Sequence, residues 1–284
     1  MSTLPTIAIT GSTGFVGGAV ASALAADGVP LRLLVRDLAR APQLPGAVAV
    51  QATYSQTDPS ALEGVETLLM ISAAENERRR DEHFAFVDAA QAAGVKHIVY
   101  TSFVGASETC TFTLGRDHYA TEQRIIASGM DYTFLRDNFY ADFMPVMMGD
   151  DNVLRGPAGE GRAAIVTRAD VARVATTVLA DVAAHRNATY NLTGPEALTM
   201  TEIAAIISQA RGIDASFHDE SIGEAYESRK KWNAPDWQVD AWVSTYTAIA
   251  NDELSAVSTD IEIVTGRPAT SLADFLRASA SSAG

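Results

Sequence analysis

Ile7-Ala8-Ile9-Thr10-Gly11-Ser12-Thr13-Gly14-Phe15-Val16-Gly17-Gly18 is the stretch on which the fold reading turns. Residues 6–10 read as a buried β-strand, and residues 14–26 carry a helical pattern closed by Asp27-Gly28. Between them stand Gly11, Gly14 and Gly17, spaced Gly-x-x-Gly-x-x-Gly rather than in the commoner Gly-x-Gly-x-x-Gly form. A backbone that approaches a pyrophosphate closely needs positions without side chains, and a tight turn favours positive φ. The start of the following helix adds unpaired N–H groups and the positive end of a dipole. Strand, glycine turn and helix in this order predict a dinucleotide site; a tight turn with no ligand is the plainer alternative.

Working outward, residues 31–35, 47–51, 67–72, 97–101 and 132–135 read as further strands. Asp58-Pro59 has the form of an N-cap with proline at the first helical position. One helix ends near Ala93 before Gly94, and another spans about residues 117–128 before Gly129. Alternating strands and helices at this spacing predict parallel pairing with right-handed crossovers. The predicted class is α/β, a Rossmann-type doubly wound parallel sheet with a smaller, mostly helical lobe.

After Asn138 the rhythm changes. Residues 144–148 are methionine-rich, residues 156–161 form a glycine-rich turn, and a helix (167–180) precedes a strand (189–192). Thr199 and Glu202 have capping-box spacing ahead of another helix. From Asp214 onward the pattern is mostly helical, with Trp232, Trp237, Trp242 and Tyr246 clustered. Tyr140, Phe143, Met144, Met147 and Met148 suit either a flat aromatic pocket or plain core packing. The expected division is an NAD(P)-binding domain at 1–150, regained by the chain at about 162–193, and a substrate-binding lobe at 194–284 packed over the open edge of the sheet.

Composition narrows the function classes. The 284 residues are 47% hydrophobic and 20% charged, ordinary for a soluble globular protein. Net charge is 21 − 35 = −14, which repels phosphate backbones and disfavours nucleic acid as a partner. The single cysteine, Cys110, excludes an internal disulfide, and His83, His97, His185 and His218 lack ligand spacing, so no metal is expected. No basic leader or long apolar run is present, so the expectation is a cytoplasmic protein without a membrane partner, monomeric or homodimeric. Asn187 and Asn191, each in an Asn-x-Thr triplet, are then chance matches. Arg78-Arg79-Arg80 among Glu75, Glu77, Asp81 and Glu82 reads as a solvated helix face.

The second predicted strand ends Leu33-Leu34-Val35-Arg36-Asp37. An acidic side chain here holds a ribose 2′-hydroxyl, whereas an arginine pairs with a 2′-phosphate. Arg36 comes first and Arg40 lies nearby, so NADP(H) is the preferred cofactor. Asp37 keeps NAD(H) possible.

Several further stretches join this turn. They include Leu69-Met70-Ile71-Ser72, the run from Ala93 to Ser102, His118 to Glu122, Tyr132 to Tyr140, Arg168 to Ala172 and Tyr190 to Gly194. Together they resemble the NmrA-like, atypical short-chain dehydrogenase/reductase family, in its branch of NAD(P)H:quinone oxidoreductases and triphenylmethane reductases. The resemblance covers most of residues 5–210. It implies that Gly11, Ser12, Thr13, Gly14, Phe15, Val16 and Gly17 cradle the pyrophosphate and that Arg36 meets the 2′-phosphate. Ser72 and Ala73 would border the cofactor, and Thr101, Ser102 and Phe103 would line its nicotinamide side. Asp137, Asn138, Phe139 and Tyr140 would help form the floor between nicotinamide and substrate. Where many relatives carry Asp after the third strand this chain has Thr53, a hydrogen-bond donor at the adenine end.

Ordinary short-chain dehydrogenases use Tyr-x-x-x-Lys after the fifth strand, the lysine lowering the tyrosine pKa. Here His118 and Glu122 have the spacing without the chemistry, and Tyr119 is followed by Gln123. Tyr226-Glu-Ser-Arg-Lys230 matches the pattern, but far from the fifth strand. Reduction of a simple ketone benefits greatly from a positioned acid, because an alkoxide is a poor product. A quinone yields a delocalised hydroquinone anion that water can protonate. The expectation is therefore an NAD(P)H-dependent reductase passing hydride to a small conjugated acceptor such as a quinone, with no flavin. His118 and Tyr140 are the candidate proton donors, and Phe103, Tyr140 and Phe143 the candidate acceptor contacts. The rival is a non-catalytic NADP(H)-sensing regulator; an epimerase-like enzyme on a nucleotide sugar is third.

Overall fold

The strand that precedes the glycine turn lies at the centre of the sheet. In the computed structural model, which describes residues 5–281, β1 (Ile7–Thr10) leads through the turn into α1 (Phe15–Ala26). β2 (Leu31–Val35) and β3 (Ala47–Gln51) then pair outward from β1. The chain crosses to the other side of β1 for β4 (Thr67–Met70). It continues through α2 (Arg79–Ala92), β5 (His97–Phe103), α3 (Thr113–Ala127) and β6 (Asp131–Asp137). β7 (Val153–Gly156) and β8 (Arg162–Ala163) follow, then α4 (Arg168–Ala180) and β9 (Ala188–Leu192). The sheet order is β3-β2-β1-β4-β5-β6-β9. The pairs β1–β2, β1–β4, β2–β3 and β4–β5 are parallel. Strand order therefore reverses between β1 and β4, the switch point outside which ligands bind in open α/β sheets. The Rossmann-type class expected from the sequence is borne out.

Two compact units divide the chain. The first comprises Met1–Ser102, Asp117–Arg136 and Val171–Tyr190; the second comprises Phe103–Arg116, Asp137–Asp170 and Asn191–Gly284. The chain thus passes between the units more often than a division at 150 and 194 allows.

In the first unit Leu68, Met70, Ile98 and Tyr100 of the sheet pack on Phe86, Val87 and Ala90 of α2 and Ile125 of α3. Those side chains are buried because both sheet faces are covered, which explains the continuous apolar runs of the strands. In the second unit, β10 (Leu198–Thr199) pairs antiparallel with β8, and α5 (Met200–Arg211) begins at a capping box formed by Thr199 and Glu202. β11 (Ser216–Asp219), α6 (Ile222–Arg229), α7 (Asp236–Ala250), α8 (Asp260–Thr265) and α9 (Leu272–Ser281) complete it. Its core gathers Leu154, Ile203, Ile207, Ala241, Ile249 and Leu276.

Two expectations need correction. Residues 216–219 are not helical: β11 runs parallel to β7, Ser216 opposite Val153. Ser-Phe-His-Asp is too short and too polar to show a strand period. α3 starts at Thr113 rather than near Asp117, because Ser244 Oγ accepts the Thr113 N–H at 3.1 Å and Leu114 is buried in the core. Among the described residues no helix is long and apolar enough to cross a membrane.

Candidate functional site

At the switch point the turn after β1 is held open by its own glycines. Gly11 has φ +64, which L side chains rarely adopt. A Cβ on Gly17 would stand 2.5 Å from the Gly11 carbonyl oxygen, so only glycine lets α1 lie this close to the strand. The Gly14 N–H donates to the Gly11 carbonyl at 2.9 Å and closes the turn. Gly14 is the N-cap of α1 and supplies no side-chain cap, and the first turn carries no acid. The helix therefore begins with uncapped donors and an uncompensated positive dipole end. Ser12 Oγ is buried with no hydrogen-bond partner among the described residues. An uncapped helix start beside a lone buried hydroxyl fits an anionic diphosphate.

A cavity of about 340 Å³ opens beside this turn, wholly within the first unit. Gly11, Thr13, Arg36, Thr53, Ser72 and Ala73, all candidate cofactor contacts, line it. Arg36 is exposed at the end of β2 and has no carboxylate partner among the described residues. Asp37 is also exposed, but its carboxylate accepts the Ala39 N–H at 3.0 Å and caps the short turn Leu38–Arg40. One charge at the β2 end is available to a ligand and the other is engaged in local structure.

The opposite wall is the segment after β4, and three side chains fix its backbone. The Ile71 N–H donates to Thr10 Oγ1 at 2.8 Å, the Ser72 N–H to Thr101 Oγ1 at 2.8 Å, and the Ala73 N–H to His83 Nε2 at 2.9 Å. The Ala73 carbonyl accepts from Arg79 Nε at 3.0 Å. Arg79 is only 3% exposed, so the solvated-face reading fails for it: its guanidinium turns inward to Ala73 and His118. Tyr54, which the sequence reading passed over, closes this wall. Its hydroxyl contacts Thr10 Oγ1 at 2.8 Å and donates to the Ile71 carbonyl. Glu82 and Asn76 line the same cavity and were also missed. An aromatic after β3 was the one available signal; Arg79 and His83 gave none, since burial decides their role.

His118 lies in this buried network. Arg79 Nη2 approaches its Nε2 at 2.9 Å, and the Tyr100 hydroxyl lies 3.0 Å from its Nδ1. A guanidinium only donates, so Nε2 accepts and the ring is neutral with its proton on Nδ1. Burial first, then the Arg79 charge, hold the His118 pKa well below its ordinary value; the same two causes act on His83. Glu122 is 1% exposed, pairs with Arg136 at 2.6 and 2.8 Å, and accepts from Ser102 Oγ at 2.6 Å. The positions with dyad spacing thus hold a neutral imidazole and a paired carboxylate.

The remaining candidates belong to the second unit. Phe103 packs on Phe112 and Phe139 at centroid distances of 4.8 and 5.0 Å. Asn138 is buried, its Nδ2 donating to the Leu254 carbonyl and its Oδ1 accepting the Phe139 N–H. The Tyr140 hydroxyl donates to Asp137 Oδ2 at 2.6 Å, and burial, then the Asp137 charge, raise its pKa well above the usual phenol range. Phe143 is 45% exposed beneath the Arg168 guanidinium, 5.0 Å from its ring centroid. Tyr226 and Lys230 each engage a carboxylate, Asp240 at 2.8 Å and Glu227 at 2.5 Å, instead of forming a dyad.

Fold and turn together define a dinucleotide-binding protein. The chain belongs to a family described as NAD(P)H-binding, which matches residues 11–182. Quinone oxidoreductase 2 of Escherichia coli (strain K12) is 34% identical over 280 residues, covering 94% of this chain and 96% of that protein. NAD(P)H azoreductase of Xenophilus azovorans is 31% identical over 289 residues, covering 98% and 99%. The crystal structure of NADPH-dependent quinone oxidoreductase from Escherichia coli with NADPH matches with a TM-score of 0.86 at 33% identity, covering 95% of this chain and 98% of that one. The family resemblance read from the sequence is borne out.

Proposed function

We propose that the protein is an NADPH-dependent reductase that delivers hydride to a small conjugated acceptor of the quinone class. The observation that carries this reading is the pair at the end of β2, Arg36 without a carboxylate partner and Asp37 committed to its turn. An arginine there meets a 2′-phosphate, as NADP has and NAD lacks. Gly11 to Gly17 would hold the diphosphate, with Thr53, Ser72 and Ala73 along the rest of the dinucleotide. The nicotinamide, when bound, supplies the hydride; no flavin is required.

The acceptor class follows from what the dyad positions lack. His118 has both ring nitrogens engaged, Glu122 is ion-paired, and the Tyr140 hydroxyl donates its hydrogen bond to Asp137. None is poised to protonate an alkoxide. An acceptor whose reduced form is a stabilised anion needs no such group. The protein's contribution is then orientation of its ligands and exclusion of water. Phe103, Tyr140 and Phe143 are the residues we assign to the acceptor.

The relatives named as quinone oxidoreductase and azoreductase support an acceptor with a conjugated π-system. The test is the fall in reduced-nicotinamide absorbance when the protein is mixed with NADPH and a panel of quinones. Sustained oxidation on at least one quinone is expected. Tight NADPH binding with no turnover on any acceptor overturns the reading and favours a dinucleotide sensor.

A further inference from the structure

The second unit contains a cavity of its own, about 530 Å³ in volume, within the roughly 300–1,000 Å³ of small-molecule pockets. Its apolar walls come from Met147, Met148, Trp232, Trp242 and Tyr246. Trp232 and Trp242 meet edge to face at 5.8 Å, and both line the cavity. Trp232 is 56% exposed, an unusual position for the largest apolar side chain. Two adaptable thioethers opposite rigid rings form a slot suited to a flat ligand.

The charge of the slot is one-sided. Arg155, Arg229 and Lys231 line it, and among the described residues no carboxylate does. Arg155 is neutralised by Asp151, at 2.9 Å from its Nη1. Arg229 is neutralised by buried Glu220 at 2.8 Å and lies over the Tyr246 ring. Lys231 has no carboxylate partner among the described residues; its ammonium sits 4.6 Å from the Trp232 ring centroid. In a chain of net charge −14, this cation stands against an aromatic ring with no carboxylate partner among the described residues. A cation placed there pairs with an anion while its neighbouring ring stacks on the anion's π-system.

We propose that this cavity binds a planar aromatic molecule carrying one sulfonate or carboxylate, the rings stacked on Trp232 and the acid paired with Lys231. The site lies within the second unit and its occupancy does not depend on hydride transfer.

The chain carries three tryptophans, Trp232, Trp237 and Trp242, and two of them line the cavity, so intrinsic fluorescence reports its filling. The experiment titrates 1,2-naphthoquinone-4-sulfonate, and separately uncharged 1,4-naphthoquinone, without NADPH. Saturable quenching is expected, tighter for the sulfonate. Lys231→Glu should weaken the sulfonate roughly tenfold while changing the uncharged quinone less than about twofold. Trp232→Ala should weaken both, with Trp242 still reporting. Both side chains are exposed, so neither change disturbs the core. Absence of quenching, or equal sulfonate affinity in Lys231→Glu and the parent, overturns the proposal. Quenching with this pattern but no NADPH oxidation leaves it standing while removing the reductase reading. Turnover without quenching does the reverse.

Discussion

His83 Nε2 accepts the backbone N–H of Ala73 at 2.9 Å, so a ring on α2 sets the position of the cavity wall after β4. The other ring nitrogen lies 2.9 Å from Thr121 Oγ1 on α3. His83 is fully buried, and its removal leaves the Ala73 N–H without an acceptor. The bond itself is worth about 0.5–1.5 kcal/mol, and without it the wall is free to shift. His83→Ala should weaken NADPH binding by about tenfold and lower the melting temperature, whereas His83→Gln, which can still accept, should recover much of the affinity. Calorimetric titration of the two variants checks this. Equal NADPH affinity in His83→Ala and the parent would show that the contact does not position the site.

Acid should unfold the protein through its buried imidazoles. Burial lowers the pKa of His97 to about 4, and His83 and His118 are held well below their ordinary value. Unfolding exposes rings that take up protons near pH 6.5, roughly the free imidazole pKa. Their contribution to stability is whole above that pH and is lost as pH falls toward the folded-state values. Melting temperature should therefore drop between about pH 7 and pH 5, by less in His97→Asn. A melting temperature flat across this window would contradict the neutral-ring assignment.

A general acid contributes about 10²–10⁴ in rate. If neither His118 nor Tyr140 acts as one, His118→Gln and Tyr140→Phe should each lower kcat on a quinone by less than about tenfold. The pH profile of kcat should show no inflection near an imidazole pKa. A loss of a hundredfold or more in either variant, at unchanged NADPH affinity, would restore a proton-donor role.

Gly17→Ala places a methyl 2.5 Å from the Gly11 carbonyl oxygen, with the Thr10 carbonyl oxygen at 2.8 Å. Backbone cannot yield as a flexible side chain can, so the turn must open. A cost of about 1–3 kcal/mol follows, seen as a lower melting temperature together with weaker NADPH binding. Parental stability and affinity in this variant would place α1 farther from β1 than described.

The parts of the fold legible in the sequence were those with a strong period or a local rule. The glycine turn, β1 to β3, the Thr199 capping box and the stop at Gly129 depend on neighbours within a few residues. β11 is legible only beside β7, and the start of α3 only once Ser244 is in place. The cavity-lining roles of Gly11, Arg36 and Ser72 follow from their place at strand ends. Arg79 and His83 could not be found that way. Among charged neighbours Arg79 has the pattern of a surface residue, and only tertiary burial turns it toward Ala73. The same holds for Asp37, whose carboxylate caps the Ala39 N–H, a local contact the sequence pattern does not announce.

The most direct measurement is a calorimetric titration of the protein, and of its Arg36→Glu variant, with NADPH and NADH. Hydrogen bonds to charged groups are worth about 1.5–3 kcal/mol, so the parent should prefer NADPH by roughly 10- to 100-fold and the variant should lose or reverse that preference. Binding of neither dinucleotide, or a preference unchanged by the substitution, would contradict the account.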